Sequence, residues 1–250
     1  MLLQKFKHKM FALALVSGVV SGAQAICVED CSSFSVGVGG LYSKFNGSNA
    51  GVESTGGYVV VRAYKVIGRI KSNIDAQLGW GNSTLSGTTL ADLSNPPNYF
   101  FSTSPKIGIN IASKNVPIFV SLFAELDDHN TSSGKGIERR FISLGGEIEG
   151  IIPAGNALSI TYSVGYGWLG YAHYKFDGVD SKANSSGNYM IKASVGASYA
   201  LSDSVSTYLR LVGKYYNTAK NSANVQVNNV TKSYPASSSY VAMVELGLEF

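Results

Sequence analysis

Apolar residues alternate with other residues along the last stretch of the chain, residues 239–250. One side of this stretch is wholly apolar, and the other side carries the carboxylates of Glu245 and Glu249. The apolar side consists of Tyr240, Ala242, Val244, Leu246, Leu248 and Phe250. Because successive side chains of a strand point to opposite faces, the pattern predicts a β-strand with one apolar and one polar face.

Nine earlier segments show the same alternation, each about as long as a tilted strand needs to be to cross a membrane. They are residues 33–45, 56–66, 69–81, 99–111, 118–127, 142–149, 158–168, 189–199 and 207–215. No convincing helical periodicity occurs among them. The pattern therefore predicts an all-β fold of ten strands, with eight strands as the alternative count.

The connections between the predicted strands alternate in length. Long polar connections follow the first, third, fifth, seventh and ninth strands, and short turns follow the others. Transmembrane barrels have short turns on the periplasmic side and longer loops outside. The alternation predicts a closed antiparallel up-and-down transmembrane barrel, with both termini in the periplasm and five extracellular loops.

Aromatic residues collect at the loop end of the predicted strands. They are Tyr42, Trp80, Tyr99, Phe101, Trp168, Tyr189, Tyr215 and Tyr240. Aromatic girdles of this kind lie where a membrane meets water. A soluble sandwich of two sheets is the alternative, but it gives no reason for aromatic residues to sort in this way.

The first 25 residues have the features of an export signal. Three lysines precede an apolar run over residues 10–20, and an A-x-A motif ends at Ala25. The apolar run is too short to span a bilayer. The sequence therefore predicts three parts: a cleaved signal peptide over 1–25, a periplasmic tail over 26–32 and an outer-membrane barrel over 33–250.

Charge and cysteine content narrow the possible partners. Removing the three lysines of the signal leaves 17 basic and 16 acidic residues, so no basic excess suggests nucleic acid. Cys27 and Cys31 lie close together in a chain sent to an oxidising compartment, so they can form a small disulfide loop or remain free thiols. No further soft ligands accompany them, and neither a metal nor a cofactor is expected.

The final strand, ending on Phe250, resembles the C-terminal strand of bacterial outer-membrane β-barrels, whose terminal Phe is an assembly signal. The chain as a whole resembles small outer-membrane barrels, including surface antigens of the opacity-protein type. This resemblance implies a Gram-negative outer membrane. It also implies a monomer surrounded by outer-membrane lipid, inserted by the barrel assembly machinery and able to bind a host or surface ligand through its loops.

Most charged residues within the predicted strands fall on the face assigned inward. Arg62 is the least clear, and it is assigned inward because a lipid-facing Arg near mid-bilayer costs about 2–4 kcal/mol. The predicted lumen residues are Arg62, Asp75, Lys106, Glu147, Arg210 and Glu245. We expect Asp75 to lie near Lys106 and Arg210 near Glu245. Such charges either plug the bore as ion pairs or line a narrow polar pore.

A second group of polar residues follows the fifth and seventh predicted strands. It comprises Asp127, Asp128, His129, His173, Asp177 and Asp180. If these faced each other across a groove, they would resemble the omptins, ten-stranded outer-membrane proteases that activate water with an acid pair opposite an Asp/His pair. Tyr171, two residues before His173, occupies the position at which that resemblance would require an acidic residue. Solvated loop charges are the simpler interpretation, and no catalytic residue is assigned.

The long predicted loops, residues 82–98, 171–188 and 217–237, are rich in Ser, Asn and Thr. Loops on a rigid scaffold commonly carry binding function, although this composition is equally that of a hydrated variable surface. The sequence therefore favours a non-enzymatic surface barrel for adhesion or surface contact, or a structural role in the membrane. A porin-like narrow channel for ions or small solutes is the alternative, and an omptin-like protease is a remote one.

Overall fold

A computed structural model describes residues 30–47, 51–86, 96–131, 137–176, 179–183, 186–219, 225–227, 230–232 and 236–250. The predicted signal peptide and Cys27 lie outside these ranges, so the predicted cleavage and the predicted disulfide remain predictions. Within the described ranges, no helix has the length and apolar character needed to cross a bilayer.

The described residues form thirteen strands. They are β1 (Cys31–Gly47), β2 (Gly51–Ile67), β3 (Ile70–Ser86), β4 (Pro97–Asn110), β5 (Ile118–Thr131), β6 (Glu138–Pro153), β7 (Leu158–Phe176), β8 (Val179–Lys182), β9 (Tyr189–Ala200), β10 (Ser206–Thr218), β11 (Val225–Val227), β12 (Val230–Lys232) and β13 (Ser237–Glu249).

Ten of these strands close into one antiparallel barrel. Each pairs with the next along the chain in the order β1 to β7, then β9, β10 and β13, and β13 pairs back with β1. Strand β8 extends the sheet from β7, while β11 and β12 form a separate hairpin. The predicted ten-strand up-and-down barrel is confirmed, and the alternatives of eight strands and of a two-sheet sandwich are wrong.

The two ends of the chain close the barrel. The register between β1 and β13 is continuous from Ser35 opposite Glu249 to Gly47 opposite Ser237. Beyond it, the backbone N–H of Phe34 donates to the carbonyl of Phe250 at 3.0 Å, and the N–H of Phe250 donates to the carbonyl of Phe34 at 2.8 Å. The last residue therefore contributes two hydrogen bonds to the closing seam.

The barrel has two different ends. At the end where β1 begins and β13 finishes, here named the terminal end, strands are joined by short connections. The tightest is the two-residue turn between β2 and β3, where Gly68 has a φ of +56° and its N–H donates to the Asp30 carboxylate at 2.8 Å. The opposite end, which carries the other connections, is named the loop end.

Strands extend further toward the loop end than the alternation predicted. Strands β1 and β2 leave only residues 48–50 between them, so the prediction of a long first loop is wrong. Likewise β3, β5 and β7 continue to Ser86, Thr131 and Phe176, into segments predicted as loops. These polar stretches remain strands because neighbours satisfy them, as when Ser54 and Ser83 share a hydrogen bond of 2.7 Å.

A surface ion pair also supports this extension. The Lys44 ammonium lies 2.6 Å from the Glu53 carboxylate across β1 and β2, and this hydrogen bond raises the pKa of Lys44. Both side chains are about half exposed, with 41 and 50 % of their surfaces accessible. Because exposed pairs contribute little stability, the extension depends mainly on backbone pairing and on the side chains packed inside.

The outer face is apolar, and the charged side chains of the membrane-spanning part point inward, the reverse of a soluble barrel. Leu122 is 70 % exposed and Leu246 57 %, whereas Glu245, next to Leu246, is fully buried. Arg62 lies inside, whereas Val59, three residues earlier on the same strand, lies outside. An apolar band around a closed barrel suits a hydrocarbon environment, because every barrel strand keeps its backbone groups paired within the protein.

The predicted girdle residues form a band on this outer face. Three cross-strand pairs belong to this band: Trp80 with Tyr99, Trp168 with Tyr189, and Tyr215 with Tyr240. The rings of Tyr215 and Tyr240 lie 4.9 Å apart. The Tyr189 ring lies 6.1 Å from the Tyr215 ring, so it connects two of the pairs. Tyr42 is also on the outer face, 41 % exposed, and Phe101 is half-buried.

Deleting Phe250 should reduce the folded fraction, because both terminal hydrogen bonds of the β1–β13 seam are lost. The matched variant Phe250→Ala keeps these backbone bonds and removes only the ring. We expect Phe250→Ala to refold in detergent almost as wild type, whereas the deletion refolds poorly, as measured by heat-modifiable electrophoresis. If Phe250→Ala also accumulates unfolded in cells, the ring acts as an assembly signal. Normal folding of both variants in cells would contradict that role.

Candidate functional site

The interior of the barrel holds the charges that the sequence assigns inward. All six predicted lumen residues face the bore, and further charges from β5, β9 and β10 join them. Nine of these side chains form one chain of alternating sign. In order they are Glu245, Arg62, Asp75, Lys106, Glu147, Lys192, Glu125, Lys214 and Asp127.

The first part of this chain is built around Arg62. Its guanidinium forms a two-pronged pair with Glu245, in which Nη2 lies 2.6 Å from Oε2 and Nη1 bonds Oε1. The Tyr58 hydroxyl donates to the same carboxylate at 3.1 Å. Arg62 Nε also lies 3.7 Å from Asp75, which in turn lies 3.7 Å from Lys106. The planar guanidinium suits this bidentate geometry.

The last part of the chain is built around two lysines. Lys192 lies 2.7 Å from Glu147 and 3.1 Å from Glu125, so it bridges them. Lys214 lies 2.6 Å from Glu125 and 2.9 Å from Asp127. Every cation of the chain therefore contacts two carboxylates. Buried charges are tolerated when they are paired in this way, so the arrangement explains how the interior accommodates them.

Both expected pairs of neighbours lie together, but only one of them forms an ion pair. Lys106 approaches Asp75, as expected, and binds Glu147 more closely at 3.1 Å. Arg210 lies beside Glu245, as expected, but does not bind its carboxylate. These residues are direct cross-strand partners, but Arg62 occupies the Glu245 carboxylate, and Arg210 donates instead to the Ser194 hydroxyl at 2.9 Å.

Apolar side chains fill the bore on the loop side of these charges, which the sequence analysis did not predict. The main layer comprises Leu41, Tyr58, Val60, Phe100, Phe123, Phe141, Leu169, Ala172, Met190, Tyr216, Val241 and Met243. Within it, the rings of Phe141 and Tyr216 stack at 4.9 Å, and Tyr216 donates a hydrogen bond of 2.8 Å to Asp127. This hydrogen bond links the apolar layer to the end of the charge chain.

A second apolar layer lies nearer the loop end. It comprises Phe45, Val52, Leu85, Ile137 and Tyr174, all buried. The rings of Phe45 and Tyr174 stack at 5.9 Å, and the Arg139 guanidinium lies 4.8 Å from the centre of the Phe45 ring. The sequence did contain a signal for this filling. Large apolar residues share the inward parity of charges on several strands, as Phe123 does with Glu125 on β5.

Inward aromatic rings lie against glycines in the barrel wall. A Cβ added at Gly145 would lie 2.8 Å from the Phe123 ring and 2.1 Å from the Tyr166 carbonyl. A Cβ at Gly37 would lie 2.3 Å from the Tyr208 hydroxyl. Because no larger residue fits at these positions, glycine permits the rings to pack flat on the neighbouring backbone.

The described residues that were predicted to resemble an omptin site do not meet in a groove. Asp127 lies in the bore beside Lys214, whereas Asp128 points outward and bonds the Arg140 guanidinium at 2.8 Å. His129 is buried inside, 4.7 Å from the Phe100 ring. The alternation arises because β5 continues through these residues, so neighbours along the chain face opposite sides.

His173 is also apart from Asp128 and His129. His173 lies on β7, separated from Asp128 by β6, where Arg140 is the cross-strand partner of both. Asp177 and the side chain of Asp180 lie outside what the structure describes. In the described part of the chain, no group of three or more His, Cys, Asp or Glu side chains is arranged to hold a metal.

Two cavities lie among the described residues of the bore. One, of about 120 Å³, lies toward the terminal end and is lined by residues near the strand ends, including Ile151, Ser198 and Glu249. The other, of about 40 Å³, lies in the charged middle. Arg62 and Arg210 line both. Both cavities therefore lie in the terminal and middle parts of the described interior.

The fold is that of an outer-membrane β-barrel. Among solved structures, the chain is similar to the outer membrane protease OmpT from Escherichia coli, with a TM-score of 0.65 and 10 % identity over 93 % of this chain and 99 % of that chain. Such identity shows the fold alone. This fold and the apolar outer band support a location in the bacterial outer membrane.

Other solved barrels match less closely. They include an outer membrane channel from Pseudomonas putida F1, with a TM-score of 0.41, 10 % identity and coverage of 93 % of this chain and 100 % of that chain. Neisserial surface protein A matches with a TM-score of 0.34, 11 % identity and coverage of 86 and 95 %. No family model matches the sequence, and no curated protein matches it.

The variant Glu245→Gln should destabilise the barrel by about 3–5 kcal/mol, because it leaves the Arg62 charge buried without its main partner. The matched control Glu53→Gln breaks the exposed pair with Lys44 and should leave stability unchanged within error. Equilibrium unfolding in urea from lipid vesicles, followed by the fluorescence of the two tryptophans, measures both. If both variants change the free energy of unfolding equally, the buried pair of Arg62 and Glu245 contributes no more stability than the exposed pair.

Proposed function

We propose that this protein is a non-enzymatic barrel of the bacterial outer membrane that presents its loop end to the outside and does not conduct. The terminal end, with its short turns, would face the periplasm, as in other transmembrane barrels. The apolar outer band and aromatic girdle support insertion in a membrane, and the longer connections that follow β3 and β10 at the loop end support the orientation.

The filled bore is the observation that carries this proposal. A chain of ion pairs crosses the middle of the lumen, and two apolar layers lie between it and the loop end. Barrels of eight strands are just filled by side chains, whereas those of sixteen or more enclose aqueous channels. With ten strands this barrel resembles the filled kind, and a stable open pore would require displacement of large buried rings.

A filled barrel is a stiff support for whatever its loop end carries. Strand β1 continues five residues past the girdle residue Tyr42 to Gly47, at a rise of about 3.3 Å per residue along the strand. The layer around Phe45 packs this extension from inside. Loops on a rigid scaffold commonly bind partners. We therefore assign the loop end to adhesion or other contact with an outside surface.

Proteolysis is not favoured by the described residues. OmpT is a protease, and a shared fold does not transfer its activity. Here the Asp128 carboxylate is engaged by Arg140, and the His129 ring packs against Phe100. Neither group faces the other across an open groove, which supports a non-enzymatic role.

Planar-bilayer recording tests the closed bore. Wild-type protein should show no steady open steps, because the apolar layers block water and ions. The double variant Phe100→Ala with Phe141→Ala removes two rings from the main layer and should produce discrete conductance. The control Leu122→Ala removes a side chain of the outer face and should remain silent. Steady open steps in wild type would overturn the closed-bore proposal and favour the channel.

Loop replacement tests the contact role. Exchanging residues 87–95 and 220–224 for Gly/Ser segments of equal length should lower binding of protein-bearing cells to host-cell or matrix-coated surfaces at least tenfold. The matched control exchanges residues 113–116, in a turn at the terminal end. Both variants should unfold at the wild-type urea concentration, since neither alters barrel strands. Unchanged binding after the loop exchange would contradict an adhesive role for these two loops.

A further inference from the structure

His129 is a buried histidine whose ring nitrogens have no polar partner. Its side chain is 2 % exposed, and neither Nδ1 nor Nε2 forms a hydrogen bond within the described part of the chain. The imidazole packs instead against the Phe100 ring, with 4.7 Å between the ring centres. A buried polar group without a partner costs free energy, so the presence of a histidine here needs an explanation.

The position of His129 joins the two apolar layers of the bore. On one side its cross-strand neighbour is Phe100 of β4, which belongs to the main layer. On the other side its neighbour is Arg139 of β6, whose guanidinium lies 4.8 Å from the centre of the Phe45 ring in the second apolar layer. A change in the charge of this one ring therefore acts on both layers.

The charged and titratable groups around this part of the bore offer a protonated ring no free carboxylate. Those that face it are Arg139 on β6, Tyr174 on β7, Lys214 and Tyr216 on β10, and Asp127 on β5 itself. The Asp127 carboxylate already accepts hydrogen bonds from Lys214 at 2.9 Å and from Tyr216 at 2.8 Å. An imidazolium would therefore stand beside the Arg139 guanidinium without a partner of its own.

These surroundings favour the neutral ring. Burial removes the water that would solvate an imidazolium, and the positive charge of the adjacent Arg139 repels one. Histidine is also the side chain that most readily changes its charge between pH 5 and 8. The packing around His129 therefore depends on a group that mild acid can charge.

We propose that His129 is an acid-sensitive switch, in which uptake of one proton loosens the packing between the main layer and the second apolar layer. The protonated ring must reach water or a carboxylate, and either movement takes it away from Phe100. Phe100 then loses part of the packing that holds it in the main layer. The switch rests on the filled bore of the proposed function and adds a condition under which the filling opens.

The direction of the pH dependence follows from the two states of the ring. In an opened state, where the ring meets water, a histidine binds a proton at about pH 6.5, whereas the packed ring stays neutral. Because the opened state binds more protons, the packing is fully stable above about pH 6.5 and weakens as the pH falls below it. One proton shifts this equilibrium by up to about tenfold per pH unit.

Oxidation of two buried methionines measures the loosening. Met190 and Met243 belong to the main layer and are 0 and 4 % exposed. Hydrogen peroxide treatment of the folded full barrel in detergent, followed by peptide mass spectrometry, should give slow oxidation at pH 7.5 and at least tenfold faster oxidation at pH 5. The variant His129→Phe keeps a ring against Phe100 but cannot bind a proton, so its methionines should oxidise slowly at both pH values.

His173→Gln is the matched control, because His173 is the other histidine beyond the predicted signal and shares the outward side of Arg140, its cross-strand partner. This variant should keep the acid response of the wild type. Slow oxidation of the wild type at both pH values, or an equal acid response in His129→Phe, would overturn the switch and leave the filled bore intact. Rapid oxidation already at pH 7.5 would contradict the filled bore itself and the switch with it.

Spectroscopy of the wild type covers the case in which His129→Phe does not fold. The ¹⁵N resonances of the His129 ring should report a neutral imidazole in the folded barrel at pH 5.5, where a water-exposed histidine is mostly protonated. A ring that is already charged at this pH, while both methionines remain protected from peroxide, would overturn the switch. Adhesion at pH 7.5 is independent of this titration, so the surface role is tested separately.

Discussion

The constraint that organises this protein is that hydrocarbon offers no hydrogen-bond partner to the backbone. Every amide and carbonyl at membrane depth must therefore be satisfied inside the protein, and a sheet can do this only by closing on itself. Closure places β1 beside β13, so the two ends of the chain meet in one seam that Phe34 and Phe250 complete. The antiparallel order, the apolar outer face and the inward charges all follow from this closure.

Closure also creates an interior that must be filled or hydrated. Two kinds of side chain fill most of this interior: paired charges in the middle and apolar rings toward the loop end. Each kind has a different requirement for burial. Charges need partners of opposite sign at close range, whereas rings need close packing, which the wall glycines permit by letting rings such as Phe123 lie against the backbone.

The alternation of side chains was enough to predict the closed barrel, its ten strands and the two faces. Period-two patterning reports which side a residue faces, and the cost of a lipid-facing Arg decided the orientation of the least clear strand, the one that contains Arg62. The strand ends were less predictable. Polar residues such as Ser54 and Ser83 read as loop in sequence, although across two strands they satisfy each other. Predicting loops from turn-like composition therefore made the loops at residues 46–55 and 128–138 too long.

The interior contacts could be predicted only in part. Parity places Arg62 and Glu245 in the bore, but pairing across the lumen depends on bore width and side-chain length, which strand order does not give. Arg62 reaches over β1 to Glu245, and this displaces Arg210 from the partner that adjacency would assign. The apolar layers were missed for a related reason, because inward rings such as Phe141 look like lipid-facing residues until neighbouring parity is compared.

The alternating chain of charges has a consequence for how this protein can change over generations. Lys192 and Lys214 share the carboxylate of Glu125, so replacing Glu125 breaks two ion pairs. The two lysines would then shift and change the ion pairs that they form with their other carboxylates. Single replacements inside are therefore penalised, while compensated double replacements are tolerated. The apolar residues between the girdles form no ion pairs, so one apolar residue can replace another there more readily. We therefore expect related sequences to vary freely at lipid-facing positions and to change the interior charges mainly by compensating double substitutions.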